Sequence, residues 1–335
     1  MKKHLSLALL LSLQTFLSFS QDTFSIVAVD SLTGEVGSAG ASCISATNLK
    51  NFFPTFDPDF LGDLLPGRGA INTQASYLQQ NQLNARARLN EGMTPQAVVN
   101  WLAANDAQGS SAQRQYGVAA LQNGTPMAAG FTGANCLNAK AHRVGPNYSI
   151  QGNILSGVAI LDSMEARFLA ASGCLANRLM AAMQGANVPG ADSRCLSNGT
   201  SAMFAFIKVA APGDSVSNPS LRLFVSYDPV GIEPIDSLQA LFDIRYVCAS
   251  AVDNAGSTGI AFSVSPNPSS GELALRLPEG LGPARLDIFD AQGRWLRTLP
   301  VVADGERLAV EGRGLLLLRL VSKNGQTGVR RVVLE

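Results

Sequence analysis

The chain has 335 residues, with 25 Lys and Arg against 25 Asp and Glu, so its formal net charge is zero. That balance excludes a general electrostatic nucleic-acid binder, which needs a basic surplus, and a 46% hydrophobic content excludes a disordered chain. Only two histidines occur, His4 and His142, which excludes multi-histidine metal sites and any HExxH motif.

Residues 1–20 read as a secretory signal peptide. Lys2 and Lys3 form the positive start, Leu5 to Leu13 the apolar stretch, and Ser18-Phe19-Ser20 the small-x-small cleavage site. Gln14 interrupts the run before the roughly 18 apolar residues that a membrane span needs. A mature chain would begin near Gln21 and keep one histidine, His142. Export permits disulfides. There are five cysteines and no CxxC pair. Cys174 and Cys195, which flank a predicted helix and loop, are the first pairing expected, with Cys43–Cys136 second.

Thr23 to Asp30 alternates as a strand, Ser31 to Gly34 turns, and Glu35 to Ser42 returns, which makes a hairpin. Pro54, Pro58 and Pro66 punctuate an aromatic loop, 52–60, that either covers a pocket or buries an oligomer contact. Gly69–Ala75 reads as a strand and 76–91 as a helix. A second helix opens at Thr94-Pro95, a cap followed by proline in the first turn. Strands follow near 115–121, 126–131 and 147–153, and helices at 158–172 and 174–185. Strands at 201–210 and 220–227 precede a last helix at 234–247. This order predicts an α+β layered domain. Residues 249–262 form a small, polar linker. Short strands then run from 263 to the end, at 272–277, 285–289, 307–310, 315–321 and 329–334, separated by glycine turns, as in a small all-β sandwich.

Little conventional chemistry is available. No phosphate-binding loop, Gly-x-Gly-x-x-Gly or EF-hand run occurs, so neither a cofactor nor a metal is expected. No Gly-x-Ser-x-Gly elbow occurs either. His142 allows one alternative, a couple with Ser42, Cys43 or Cys136.

Several ordered strings identify a family. Thr23 to Ala28 with Asp30 and the Thr33-to-Gly37 turn, Gly69-Ala70 through Thr73-Gln74, Ser149 to Leu155, and Ala191 to Arg194 before Ser201-Ala202 resemble the DUF1028 family over about 23–246. The resemblance implies an Ntn-hydrolase-like fold, a four-layer αββα sandwich spanning residues 21–248. An N-terminal nucleophile uses its own α-amine as general base, and the resemblance puts Thr23 at that position. Gln21 and Asp22 would have to be removed first, and a chain beginning at Gln21 could instead cyclise and lose its amine. The lysine that proteasome-type sites place near the nucleophile is missing or replaced. Lys50, Lys140, Lys208 and Lys323 are the mature lysines, and none falls in a predicted core strand of the first half.

The amide N–H of Asn153 is a donor for a developing oxyanion, or the residue simply closes a turn. Thr73 and Ser25 lie on strands near Thr23 and would orient water or substrate. Asp192 and Arg194 lie in a Gly/Pro-bounded loop, where an ion pair would either shape a pocket or be a solvated loop salt bridge, and His142 is grouped with them as substrate-binding.

Residues 263–335 resemble the C-terminal sorting domain of the type IX secretion system. Pro266-Asn267-Pro268, Leu286 to Asp290 with Gln292-Gly293-Arg294, and Arg330 to Leu334 carry the likeness, although Gly312-Arg313-Gly314-Leu315 replaces the usual Gly-x-Tyr. This implies a Bacteroidetes-type bacterium, partnership with the secretion machinery, and a secreted or cell-surface location reached through the periplasm. Two functional readings stay open: a hydrolase of small amide-containing substrates or peptides, and a non-catalytic binding module that keeps the fold.

Overall fold

The computed structural model describes residues 23–228, 231–246, 260, 262–282, 284–290, 295–310, 314–323 and 327–334. The expected signal peptide and nearly all of the expected linker lie outside the described residues. β1 (Thr23–Val29) and β2 (Val36–Ser42) form the hairpin, registered from Thr23↔Ser42 to Val29↔Val36. α1 (Ala46–Phe52), capped by the Ser45 side chain, and β3 (Gly62–Leu65) occupy a stretch that reads in sequence as a proline-broken loop. β4 (Gly69–Ala75) and α2 (Gln79–Asn90) follow. α3 (Pro95–Ala104) begins where the capping pattern sets it, with Thr94 Oγ1 accepting the Ala97 N–H at 3.2 Å.

β5 (Arg114–Gln122), β6 (Thr125–Thr132), β7 (Ala141–Val144) and β8 (Tyr148–Gly152) come next. After them run α4 (Ala159–Ala170), α5 (Leu175–Gly185), β9 (Phe204–Ala210), β10 (Leu221–Ser226) and α6 (Pro234–Arg245). The strands form two antiparallel sheets, ordered β10-β9-β2-β1-β8-β7 and β3-β4-β5-β6. The architecture is α+β. Among the described residues no helix is long and apolar enough to cross a membrane.

The pleat of β1 sorts its side chains between two cores. Phe24, Ile26 and Ala28 pack with Leu161, Phe168, Leu179 and Leu238 of the helices α4, α5 and α6. Val27 and Val29 point the other way and meet Leu64, Ala70 and Ala119 of the second sheet. The far face of that sheet, with Ile71, Tyr116 and Val118, is covered by Leu89, Val98 and Leu102 of α2 and α3. A strand buried on both faces need not alternate polar with apolar, and the alternation that opens β1 at Thr23 to Ile26 gives way to apolar Val27-Ala28-Val29 with every residue buried.

From residue 260 on, the described chain contains β11 (Ser263–Ser265), β12 (Glu272–Arg276), β13 (Ala284–Asp290), β14 (Trp295–Val302), β15 (Arg307–Ala309), β16 (Gly314–Ser322) and β17 (Thr327–Leu334). They make two sheets, β11-β12-β15 and β14-β13-β16-β17, around Phe262, Leu275, Leu286, Leu318 and Val332. β14 falls in a stretch that reads in sequence as a connection.

The expected Cys174–Cys195 disulfide is corrected: Cys195 bonds Cys43, across 152 residues, with Cα atoms 5.7 Å apart. Cys174 is itself disulfide-bonded, with its partner outside the described residues. Cys136, the second-choice partner of Cys43, is a buried thiol that donates to Arg114 O at 3.2 Å. The 21-residue interval misleads because the 11 residues of α5 carry the chain about 16 Å away from Cys174, whereas β2–β9 pairing brings the end of β2 to the Cys195 turn. Replacing both Cys43 and Cys195 by serine is expected to cost about 2–4 kcal/mol of stability, read from urea unfolding of the oxidised full chain.

Candidate functional site

The site grows from the first residue of β1. The main-chain N–H of Thr23 donates to Asn153 Oδ1 at 2.9 Å. The main-chain N–H of Asn153 returns a bond to Thr23 O at 3.1 Å, and Gln74 Nε2 donates to the same carbonyl at 3.1 Å. Of the two amides on Asn153, then, the main-chain one is already used. The side-chain Nδ2 is buried and has no hydrogen-bond partner among the described residues. Thr23 and Asn153 are fully buried.

Ser25 shares the face of Thr23, because alternate strand residues point the same way. Its Oγ donates to Gln74 Oε1 at 2.5 Å and accepts from Gln151 Nε2 at 2.6 Å. Gln74 Nε2 continues to Gln115 Oε1 at 2.7 Å. Gln115 Nε2 in turn reaches Thr132 Oγ1 at 2.9 Å and Gly152 O at 3.0 Å. Thr132 Oγ1 lies 2.8 Å from His142 Nδ1. Two buried glutamines, Gln74 and Gln115, therefore cross-link the two sheets and connect Thr23 to His142 through Thr132, while Gln151 ties β8 to β1 within its own sheet.

Two glycines make room for this network. A Cβ on Gly117 would sit 2.0 Å from Gln151 Oε1, and one on Gly130 would sit 2.9 Å from His142 Cδ2. Backbone strain also collects here. Ala75, which follows Gln74, has φ 63°, and Ile154, which follows Asn153, has φ 49°. Left-handed backbone at a β-branched residue costs about 1–3 kcal/mol and persists only where its surroundings over-determine it.

Thr73 is not brought to Thr23. Its neighbour Ala70 packs toward β1 and Ile71 toward α2 and α3, so the pleat turns Thr73 to the helix side, where its Oγ1 is buried without a partner among the described residues. Gln74 and Asn72 occupy the inward positions, and Asn72 Oδ1 accepts from Ser38 Oγ at 2.6 Å. Gln74, Gln115 and Gln151 are the site residues that sequence reasoning missed. The available signal was a glutamine near one end of each of three strands otherwise made largely of apolar and small residues, with Asn72 two positions before Gln74.

Asp192 and Arg194 do form an ion pair beside the site. Arg194 Nη2 and Nε donate to the Asp192 carboxylate at 2.7 and 3.0 Å, and Cys43 N–H donates to Asp192 Oδ2 at 2.9 Å. Asp192 is fully buried and the Arg194 side chain is one-third exposed. Arg194 Nη2 lies 3.5 Å from Ser42 Oγ, on the residue paired with Thr23.

The lysine of β9 is elsewhere. Lys208 lies on β9 opposite Ser38, whereas Thr23 is level with Ser42 and Phe204, about 13 Å further along the strands. Its Nζ is 3.2 Å from Asp59. Burial lowers the Lys208 pKa, against the opposing pull of Asp59. Among the described residues no three His, Cys, Asp or Glu side chains converge as metal ligands do.

Fold and site together define an α+β protein whose two antiparallel sheets are joined by buried amides where the first strand begins. The family of unknown function DUF1028 matches over residues 23–233, and the chain belongs to that family. A crystal structure of a DUF1028 protein from Silicibacter pomeroyi is similar, at 23% identity and a TM-score of 0.52, over 69% of this chain and 92% of that one. That likeness is one of fold. No curated protein matches the chain.

Two outcomes follow from the network. Gly117→Ala should cost about 1–3 kcal/mol by displacing the Gln151 amide, while Gly157→Ala, whose Cβ meets nothing within 4 Å, should stay within about 0.5 kcal/mol; urea unfolding compares them. Burial, and secondarily Arg143, holds the His142 pKa below its ordinary value. The unfolded chain therefore takes up that proton first, and stability is lost as pH falls below about 6.5. His142→Gln should flatten the fall in the urea midpoint between about pH 7 and pH 5.

Proposed function

We propose that the protein is an exported amide hydrolase of the N-terminal-nucleophile type, with Thr23 as the nucleophile once the residues before it are removed. One observation carries the reading. The nitrogen of Thr23 is held by Asn153 Oδ1 while Asn153 Nδ2 is buried without a partner, so one side chain supplies both an anchor for the amine and a spare donor beside it. The packing of helices α2 and α3, two sheets, and helices α4 to α6 supports the four-layer αββα Ntn-like sandwich on which such an enzyme is built.

In this mechanism the free amine of Thr23 takes the proton from its own Oγ1, and Oγ1 attacks the carbonyl carbon of the substrate amide. The negative charge that develops on the carbonyl oxygen receives the Asn153 Nδ2–H bond, a contribution worth about 3 kcal/mol in comparable sites. The ammonium then passes its proton to the departing nitrogen, the C–N bond breaks, and water hydrolyses the Thr23 ester. An α-amine has an unperturbed pKa near 8, so about a tenth of it is neutral at pH 7 without a neighbouring lysine. Asp192 and Arg194 would bound the pocket, and the partly exposed guanidinium suits a substrate carboxylate.

The sorting-domain reading of residues 263–335 rests on the quoted motifs and is supported by the seven strands in two sheets. It gives the protein a destination at the cell surface or in the medium, through partnership with the type IX machinery. A second reading, a binding module without chemistry, is favoured by one fact: before processing, the Thr23 nitrogen is a peptide N–H in a fully buried residue.

Terminal sequencing of protein recovered from the native medium separates the two. A chain beginning at Thr23, with amide hydrolysis lost by about a thousandfold or more in Thr23→Ala and lowered about a hundredfold in Asn153→Ala, is the expected result. A chain beginning with pyroglutamate from Gln21, or hydrolysis unchanged in Thr23→Ala, would replace the enzyme with the binding module.

A further inference from the structure

β10 is an outer strand of the six-stranded sheet. It pairs with β9 on one side, from Leu221↔Val209 to Ser226↔Phe204. On its other side, residues Leu221–Ser226 make no main-chain hydrogen bond among the described residues. An open edge of this kind is a template for another strand, and proteins usually blunt it with proline, a bulge or an inward charge. β10 contains no proline and its register is unbroken.

The edge is also not on a flat surface. Arg222 to Tyr227 line, residue after residue, a groove of about 770 Å³ whose walls are α1, the aromatic loop at Phe56 and the last turn of α6. Phe56 stacks with Phe53 and Phe60 and meets Tyr77 edge-on, so that wall is held by its own ring packing. Ser226, in the lining, carries a hydroxyl with no hydrogen-bond partner among the described residues. The walls flank the strand edge on both sides, α1 and the aromatic loop on one and α6 on the other. Six residues of β10 offer about 20 Å of pairing length.

Charge selects the occupant. The lining carries the cations Lys50, Arg222 and Arg245 against one carboxylate, Asp57. Arg222 is engaged by Asp57 and Asp59, at 2.7 Å each, whereas Lys50 and Arg245 have no carboxylate partner among the described residues. A second copy of β10 would bring the same cations against themselves, which disfavours a symmetric pair. We propose that this groove binds an extended acidic segment of a partner polypeptide, which adds to the sheet as a strand beside β10.

In that arrangement main-chain hydrogen bonds along Leu221–Ser226 supply affinity for any strand. Alternate side chains of the guest meet Leu241 on one side and Phe56 on the other, and its carboxylates meet Lys50 and Arg245. The proposal does not depend on Thr23 being a nucleophile.

The test uses the full chain and a fluorescein-tagged hexapeptide, Glu-Glu-Val-Val-Glu-Glu, which carries carboxylates on both faces of an extended strand, followed by fluorescence anisotropy. The acidic peptide is expected to bind about tenfold more tightly than its lysine–valine counterpart, and Lys50→Glu with Arg245→Glu should remove that preference. Both lysine and arginine are solvent-exposed, so the variant folds. N-methylation of one alternate set of peptide amides should abolish binding, and hydrogen exchange should slow at the β10 amides when the unmodified peptide is bound. No binding of the acidic peptide, equal affinity for both peptides, or indifference to the charge-reversed variant would each overturn the proposal. A dimer in sedimentation whose β10 amides are protected without peptide would also overturn it, by assigning the edge to a second copy.

Discussion

The two antiparallel sheets within residues 23–226 meet in part through apolar side chains such as Val27, Leu64, Ala70 and Ala119, but at the end where β1 begins they are joined by amides. Gln74 and Gln115 from one sheet and Gln151 from the other close around Ser25. A buried amide left unpaired costs a few kcal/mol, so this group is stable only when every member is in place. The requirement reaches outward. It sets the register of β1 against β8, where Ser25 lies opposite Gln151, because a one-residue slip would turn the polar set toward the helices. It also demands a residue without a side chain at 117.

Thr23 inherits its position from that cross-link. Its carbonyl is gripped by Gln74 from the facing sheet and by the Asn153 N–H next to the neighbouring strand, so the first residue of β1 is held from both sheets. Strand ends ordinarily fray. Here the end is held by bonds at both its N–H and its carbonyl, and left-handed Ala75 and Ile154 mark where the chain turns out of the site after delivering Gln74 and Asn153. The Cys43–Cys195 bond and the Asp192–Arg194 pair complete the frame from the other side. Such rigidity suits either reading of the site, since a nucleophile needs a positioned amine and a binding pocket needs fixed walls.

The opposite margin of the same sheet has a different character. Around β10 the polar groups are charged and partly solvated, with Arg222 between Asp57 and Asp59, and the outer strand has no second neighbour among the described residues. One sheet thus presents a sealed amide network near its middle and an open edge at its side. The physical distinction is hydrogen-bond satisfaction among the described residues: beside Thr23 the Asn153 Nδ2 donor lacks a partner, whereas along β10 a whole main-chain edge does.

Sequence alone settles the elements whose signals are local. The β1–β2 hairpin, the Thr94-Pro95 start of α3, the apolar stripes of α4 to α6 and the α+β class all follow from periods and caps that a few neighbouring residues determine. The ordered strings from Thr23 to Ser201 carry the family as well. Sequence does not locate α1 or β3, because prolines at 54, 58 and 66 hide them, nor choose Cys43 over Cys174 as the partner of Cys195. Those depend on strands that meet across 152 residues. Thr73 and Gln74 are adjacent in the chain, and only the stacking of one sheet on another decides which of them faces Thr23. Local order is written in spacing, whereas a site between two sheets depends on which face of each strand is turned inward, and that is fixed only when both sheets are assembled.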